Sequence, residues 1–166
     1  MLYPTHIVGG LIAGILLTQS YGSIEESLPV LLTTAIASLL PDLDSPQSRI
    51  GSRMPFFSWL INSVFGHRGF LHSLLGCAMW LVLIFFGLKI MGLAVYQGAI
   101  LNAFFIGYIV HLSMDMLTPN GLPLLWPWKA RMRLPIARTG GPLEKCVILP
   151  ILSGYLLFQL INYSIL

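Results

Sequence analysis

Three long apolar stretches, Phe70–Gly92, Leu93–Leu117 and Cys146–Leu166, decide what this chain can become. Each reaches the roughly 20 residues that a helix needs to cross a hydrocarbon core. No water is available there, so every backbone N–H and C=O must be satisfied within its own segment, and helices follow. Two earlier apolar runs, His6–Ser20 and Leu28–Leu40, are shorter. At a rise of about 1.5 Å per residue they fall short of a full crossing, and are expected to form a re-entrant hairpin or to span with polar ends drawn in. With 56% hydrophobic and 9% charged residues, the chain cannot hide its apolar surface in a water-facing globule. The expected fold is a single all-α domain, residues 1–166, a polytopic membrane bundle of about five hydrophobic helices with the first two short.

Charge orients the bundle. With five crossings, Arg49, Arg53, Arg68, Lys129, Arg131, Arg133, Arg138 and Lys145 fall on one side, and Lys89 falls on the other with the loop carrying Glu25 and Glu26. The positive-inside rule makes the first side cytoplasmic. The net charge of +3 is therefore a topology signal, and no aromatic-interleaved basic patch suggests a nucleic-acid partner. The start of the chain has neither a basic n-region nor a clear cleavage site, so no cleaved signal peptide is expected. Cys77 and Cys146 are far apart and read as buried thiols.

Following the crossings places seven residues at one membrane face. His6 precedes the first span, Asp42 and Asp44 in LLPDLDSP follow the second, His67 and His72 in FGHRGFLHS flank the third, and His111 and Asp115 end the fourth. These are all four histidines and three of the six acids. Singly, each motif has an ordinary reading: HxxxD as a solvated helix end, PDLDSP as a turn, GHRGFLHS as a loop whose arginine meets lipid headgroups. Together they would make a costly lipid-facing surface unless something partners them all, and a divalent cation does. Imidazole with carboxylate suits Zn, Mn or Fe, and seven candidates can hold two ions, an arrangement suited to hydrolysis.

Other catalytic plans fit less well. GxxxxGK, GxGxxG and GxSxG are all absent, and a triad built on Ser73 would leave most of the cluster unexplained. A histidine-nucleophile phosphatase would need an Ser-Arg upstream of His111, where FFIGYIV stands instead.

The motifs THIVGG, LLPDLDSPQSRIG, FGHRGFLHS and GYIVHLSMDMLTPNGLPLLWPW together resemble the YdjM-like family of bacterial inner-membrane proteins. That family is described as LexA-regulated metal-dependent hydrolases. The resemblance covers nearly the whole chain up to RMRLPI. It implies an inner-membrane location, hydrolase activity, and control of the gene in the SOS response. More distantly, the chain is similar to zinc-dependent phospholipase C and single-strand nuclease enzymes, all-helical proteins whose site uses an HxxxD helix. By that analogy Asp115 bridges two metals, His111, His72 and either Asp42 or Asp44 complete one, and His6 helps hold the other. The later His and Glu ligands of a third metal are missing here. His67 has no counterpart and is open to three roles: ligand, partner of a ligand, or proton donor to a leaving group.

Trp126, Trp128 and the basic residues between Asp115 and Cys146 suit the headgroup layer, and RIGSRMPFFSWLINSVFG reads as a short amphipathic helix in the interface. The expected function is a membrane-bound, two-zinc (or Mn or Fe) hydrolase at the cytoplasmic face. It would cleave a phosphoester of a lipid, such as a phospholipid or polyprenyl phosphate, with His67 and Arg68 as catalytic groups and no protein partner inferred. The alternatives are metal transport and a non-enzymatic membrane protein stabilised by metal.

Overall fold

The computed structural model describes residues 1–19, 24–128 and 130–163. Lys129 and the side chains of Glu25 and Glu26 lie outside the described parts. Among the described residues six α-helices run in the order α1 Tyr3–Thr18, α2 Ile24–Ala37, α3 Pro55–Phe65, α4 Leu74–Ile90, α5 Gln97–Met116 and α6 Leu149–Tyr163. Short 3₁₀ turns connect them, and a π-helical turn at Glu144–Ile148 leads into α6. Among the described residues there is no β-strand, only a single antiparallel bridge between Leu122 and Met132. The all-α membrane bundle expected from the sequence is what forms.

The lengths of the spans differ from the apolar runs for local reasons. The run from Phe70 gives a helix of 17 residues, because Phe70–His72 turn in a 3₁₀ coil and the Ser73 hydroxyl caps α4 by accepting from the Gly76 N–H. Conversely, α2 continues through the 3₁₀ turn at Leu40–Asp44, so Ser27–Asp44 presents an 18-residue segment of mean hydropathy 1.2, long and apolar enough to cross. Ala94–Met116 and Glu144–Asn162 also have spanning length, whereas the 16-residue α1 is only about 24 Å long. The π turn precedes Pro150, which cannot donate to the helical ladder. Cys77 is buried as expected, but Cys146 is exposed where α6 begins.

The centre of the bundle is α1, α2 and α5, held by close backbone approach. Lipid tails are as apolar as the helix surfaces, so tight packing through small residues does the work that water does elsewhere. A Cβ on Gly10 would strike the Ser38 hydroxyl, and one on Gly107 would strike the Thr34 carbonyl and lie 3.0 Å from the Ala37 Cβ. Phe104, Tyr108 and Leu112 of α5 fill the core against Ala37, Cys77 and Leu122. The Tyr108 hydroxyl donates to the Leu71 carbonyl, fixing the turn that carries His72 to α5. α4 and α6 lie outside this trio and show Val82, Leu83, Ile151 and Leu157 to the lipid.

We expect Gly107→Val to cost about 1–3 kcal/mol through overpacking against α2. In detergent its melting temperature falls below the parent's, while Gly98→Ala, with nothing within 4 Å of its Cβ, leaves it unchanged.

Candidate metal centre

The site is built outward from a proline. Pro41 has no N–H to return to Ser38 three residues back, and the Asp42 N–H bonds Leu39 instead, at 3.2 Å. The Ser38 carbonyl is left without a backbone donor, and His111 on α5 supplies one, with Nδ1 2.8 Å away. A carbonyl can only accept, so Nδ1 carries the proton and the Nε2 lone pair of His111 faces inward. Asp115 lies one turn further along the same face of α5.

The 3₁₀ turn also separates the two aspartates of PDLD. At three residues per turn, side chains two apart diverge by about 120°, so Asp42 and Asp44 cannot serve the same point. Asp42 faces the histidines, with Oδ1 3.7 Å from His72 Nε2 and 4.0 Å from His111 Nε2. Asp44 lies behind them: its carboxylate accepts from His67 Nδ1 and His72 Nδ1, each at 2.9 Å, and from the Arg68 N–H at 3.0 Å. Asp44 thereby turns the His72 Nε2 toward the cluster. This carboxylate–histidine arrangement is the usual way a ligand imidazole is oriented.

Five imidazole and carboxylate edges then converge. His111 Nε2 and His72 Nε2 are 3.3 Å apart, and Asp115 Oδ2 is 3.7 Å from His72 Nε2. The His6 ring stacks on His111 with centroids 4.0 Å apart, and its Nε2 lies 3.3 Å from Asp115 Oδ1 without the alignment of a hydrogen bond. Two overlapping triads result, His6–Asp42–His111 and His72–His111–Asp115. Within each, the ligand atoms lie within 4.8 Å of one another. Ligands at 2.0–2.1 Å from a tetrahedral zinc are about 3.3 Å apart, so this donor set is close to that spacing.

The fit to a cation has an independent sign. Both ring nitrogens of the fully buried His6 lack a hydrogen-bond partner, an expensive state for an imidazole in the bundle interior. Cations of the chain itself also meet the Asp115 carboxylate: the Met1 amino group pairs with Oδ1, and the Arg68 guanidinium approaches Oδ2 at 2.8 Å. For His72, burial alone would favour the neutral ring. The carboxylates of Asp42, Asp44 and Asp115 override burial and raise its pKa to about 9. A divalent ion would replace that proton.

Arg68 has φ of 57°, a left-handed conformation that costs a non-glycine residue about 1 kcal/mol or more and tends to persist where function holds it. The conformation lets its N–H reach Asp44 while its side chain turns back to Asp115, the Thr118 hydroxyl at 3.1 Å and the Gly121 carbonyl at 3.4 Å. His67 is different: its side chain is 49% exposed and belongs to neither triad. A cleft of about 490 Å³ leads in beside it, lined among others by Ser48, Arg49, Thr139, Arg68 and Asp42.

Of the seven residues singled out from sequence, five, His6, Asp42, His72, His111 and Asp115, meet at the cluster. Asp44 supports it from behind and His67 stands at its mouth. Sequence reading missed Glu144. Its buried carboxylate accepts from the Leu2 N–H at 2.7 Å, the Thr5 hydroxyl at 2.8 Å and the Gly140 N–H at 2.7 Å, capping the start of α1 next to His6. The available signal was an acid at the threshold of an apolar run, the same anomaly that marks Asp115. We expect Glu144→Ala, which leaves three donors unpaired, to destabilise the protein by about 1–3 kcal/mol. Glu144→Gln, which keeps an acceptor, retains part of that stability in the same thermal melts.

Comparison with known proteins places the chain in a family. The family model described as YdjM inner membrane protein matches residues 1–165. Proteins named inner membrane protein YdjM in Escherichia coli (strain K12) and Shigella flexneri are each 43% identical over 114 residues, covering 68% of this chain. The match spans just over half, 57%, of the length of those two relatives. The uncharacterized protein YvsG of Bacillus subtilis (strain 168) is 36% identical over 167 residues, 98% of each chain. No solved structure matches.

Proposed function

Since the chain belongs to the YdjM inner membrane protein family, we propose that it is a membrane-embedded, metal-dependent hydrolase that cleaves a phosphoester of a lipid at the cytoplasmic face. The observation that carries this reading is the pair of Nε2 atoms of His72 and His111, facing each other at 3.3 Å between the carboxylates of Asp42 and Asp115. The five imidazole and carboxylate donors suit zinc, with Mn or Fe as alternatives. His111 has one free lone pair and can serve one ion, whereas the Asp115 carboxylate, with Oδ1 3.3 Å from His6 Nε2 and Oδ2 3.7 Å from His72 Nε2, would let two ions share it. A divalent metal held there supplies a charge that polarises a phosphoryl oxygen and makes a water easier to deprotonate.

The chain's own groups account for the rest. The side chain of Asp42 is 19% exposed while the other cluster members are at most 1% exposed, so substrate meets the cluster from the Asp42 side. That is where the cleft with Arg49 and Arg68 opens. Arg68 uses three contacts on protein oxygens, and its remaining N–H donors are free to bind a phosphate oxygen and offset negative charge as it develops. His67, half exposed and oriented by Asp44, is placed to give a proton to a leaving oxygen. The exposed basic residues on this side support a cytoplasmic orientation.

A purely structural metal is the second reading, favoured by the complete burial of His6, His72 and His111 and by the four separate segments that the cluster ties together. Turnover separates the two. Elemental analysis of the detergent-purified protein is expected to give close to two equivalents of Zn or Mn, lost in His111→Ala and Asp115→Ala. Asp44→Asn is expected to keep the fold but weaken metal affinity by about 10–100-fold, the usual effect of removing a ligand's orienting partner. Metal-loaded protein that hydrolyses neither phospholipids nor polyprenyl phosphates would leave the structural reading in place. Absence of transition metal, even after reconstitution, would overturn both.

A further inference from the structure

We propose that α3 and the loop 117–137 together form a docking platform for an anionic lipid leaflet, coupled to the candidate metal site through Asn62 and Arg68. α3 has 11 residues, about 16 Å, and cannot cross a bilayer. Its outer face is nonetheless apolar, with Phe56 66%, Trp59 62% and Val64 65% exposed. On the loop, Trp128 is 73% and Ile136 60% exposed. The two parts join through aromatic rings: Trp126 packs edge-on against Phe65 at 6.0 Å and Phe70 at 5.3 Å. Aromatic and aliphatic side chains on a short helix and a loop, beside helices that end at the membrane face, belong at headgroup depth.

Charge selects the kind of lipid. From Ser45 to Leu143 the sequence contains one acid, the buried Asp115. In the same interval Arg49, Arg53, Arg131, Arg133 and Arg138 are exposed. An apolar surface rimmed by arginine without intervening carboxylates complements anionic headgroups, each basic residue near such a surface shifting the equilibrium by about fivefold.

Both halves of the platform hold the site. The Asn62 amide on the inner face of α3 donates to the Asp44 carbonyl at 2.8 Å, and the Asp44 carboxylate orients His72 and His67. The loop is bonded to the end of α5 by the Leu134 N–H to Met116 and the Ile136 N–H to Leu117. Its Thr118 and Gly121 receive the Arg68 guanidinium. Seating the platform on lipid therefore restrains Asp44 from one side and Arg68 from the other. The meaning of this restraint for activity rests on the metal-site reading above.

The test is hydrogen–deuterium exchange on the full chain in nanodiscs of phosphatidylcholine alone or mixed with phosphatidylglycerol. Phosphatidylglycerol is expected to slow exchange several-fold in 55–65 and 117–137, and also in 40–46 and 66–72. The triple variant Arg53→Gln, Arg131→Gln, Arg133→Gln loses the lipid response everywhere, and higher salt weakens it in the parent. Asn62→Ala keeps the slowing in 55–65 but loses it in 40–46. Equal exchange in the two lipids, or a triple variant that responds like the parent, overturns the platform. Equal behaviour of Asn62→Ala and the parent overturns the coupling. Elemental analysis of the same samples separates the two ideas: a lipid response without bound metal sinks the metal reading alone, and bound metal without a lipid response sinks the platform alone.

Discussion

The Ser38 carbonyl is the point on which both the bundle and its polar cluster depend. In hydrocarbon a carbonyl without a donor is costly, and Pro41 removes the donor that this one would have had. His111 restores the bond from a different helix, so the same contact joins α2 to α5 and fixes which nitrogen of His111 faces the cluster. The close approach at Gly107 and Thr34 brings the two helices near enough for that bond. Asp115 then follows from the helical repeat, and His6 from the packing of α1 against both helices. Few of these steps are independent, which is why polar residues scattered through the chain arrive at one place.

Charge balance explains the next layer. Asp42, Asp44 and Asp115 bring three carboxylates into a poorly solvated region, and such groups persist only with cations or hydrogen-bond donors around them. Asp44 is met by two histidines and a backbone N–H, an arrangement complete in itself. Asp115 draws Arg68 and the Met1 amino group, whereas among the described residues Asp42 faces imidazoles at 3.7–4.0 Å. The carboxylate least provided for is thus also the most open one and the one beside the cleft. His6 shows the same imbalance from the imidazole side, buried with neither nitrogen bonded.

The membrane bundle was legible in the sequence because lipid leaves a long apolar run few alternatives. The convergence of His6, Asp42, His72, His111 and Asp115 was legible because crossing a bilayer sends consecutive helix ends to known faces, a constraint that soluble chains lack. What could not be read was rotation within a turn. Whether PDLD coils as a 3₁₀ turn or continues as an α-helix decides which aspartate faces the histidines, and composition is the same in both cases. The length of α4 depended likewise on one hydroxyl, the Ser73 cap, which took Phe70–His72 out of the helix. Glu144 was not legible because its partners are the Leu2 N–H and the Thr5 hydroxyl at the opposite end of the chain and the nearby Gly140 N–H, and no side-chain pattern announces a backbone donor.

The position of the cluster bears on which chemistry would be worth its cost. A metal that merely fastened helices could sit anywhere in the core, and apolar packing would fasten them as well. This cluster lies instead at the ends of helices, beneath a cleft whose walls carry arginine and hydroxyl groups. The one backbone strained among non-glycine residues described here, at Arg68, serves to hold a guanidinium between Asp115 and that cleft. A structural site has no use for a cation poised over its open side. A site that must receive an anion from the headgroup layer does, because the guanidinium can hold a phosphate oxygen without leaving the carboxylate that positions it.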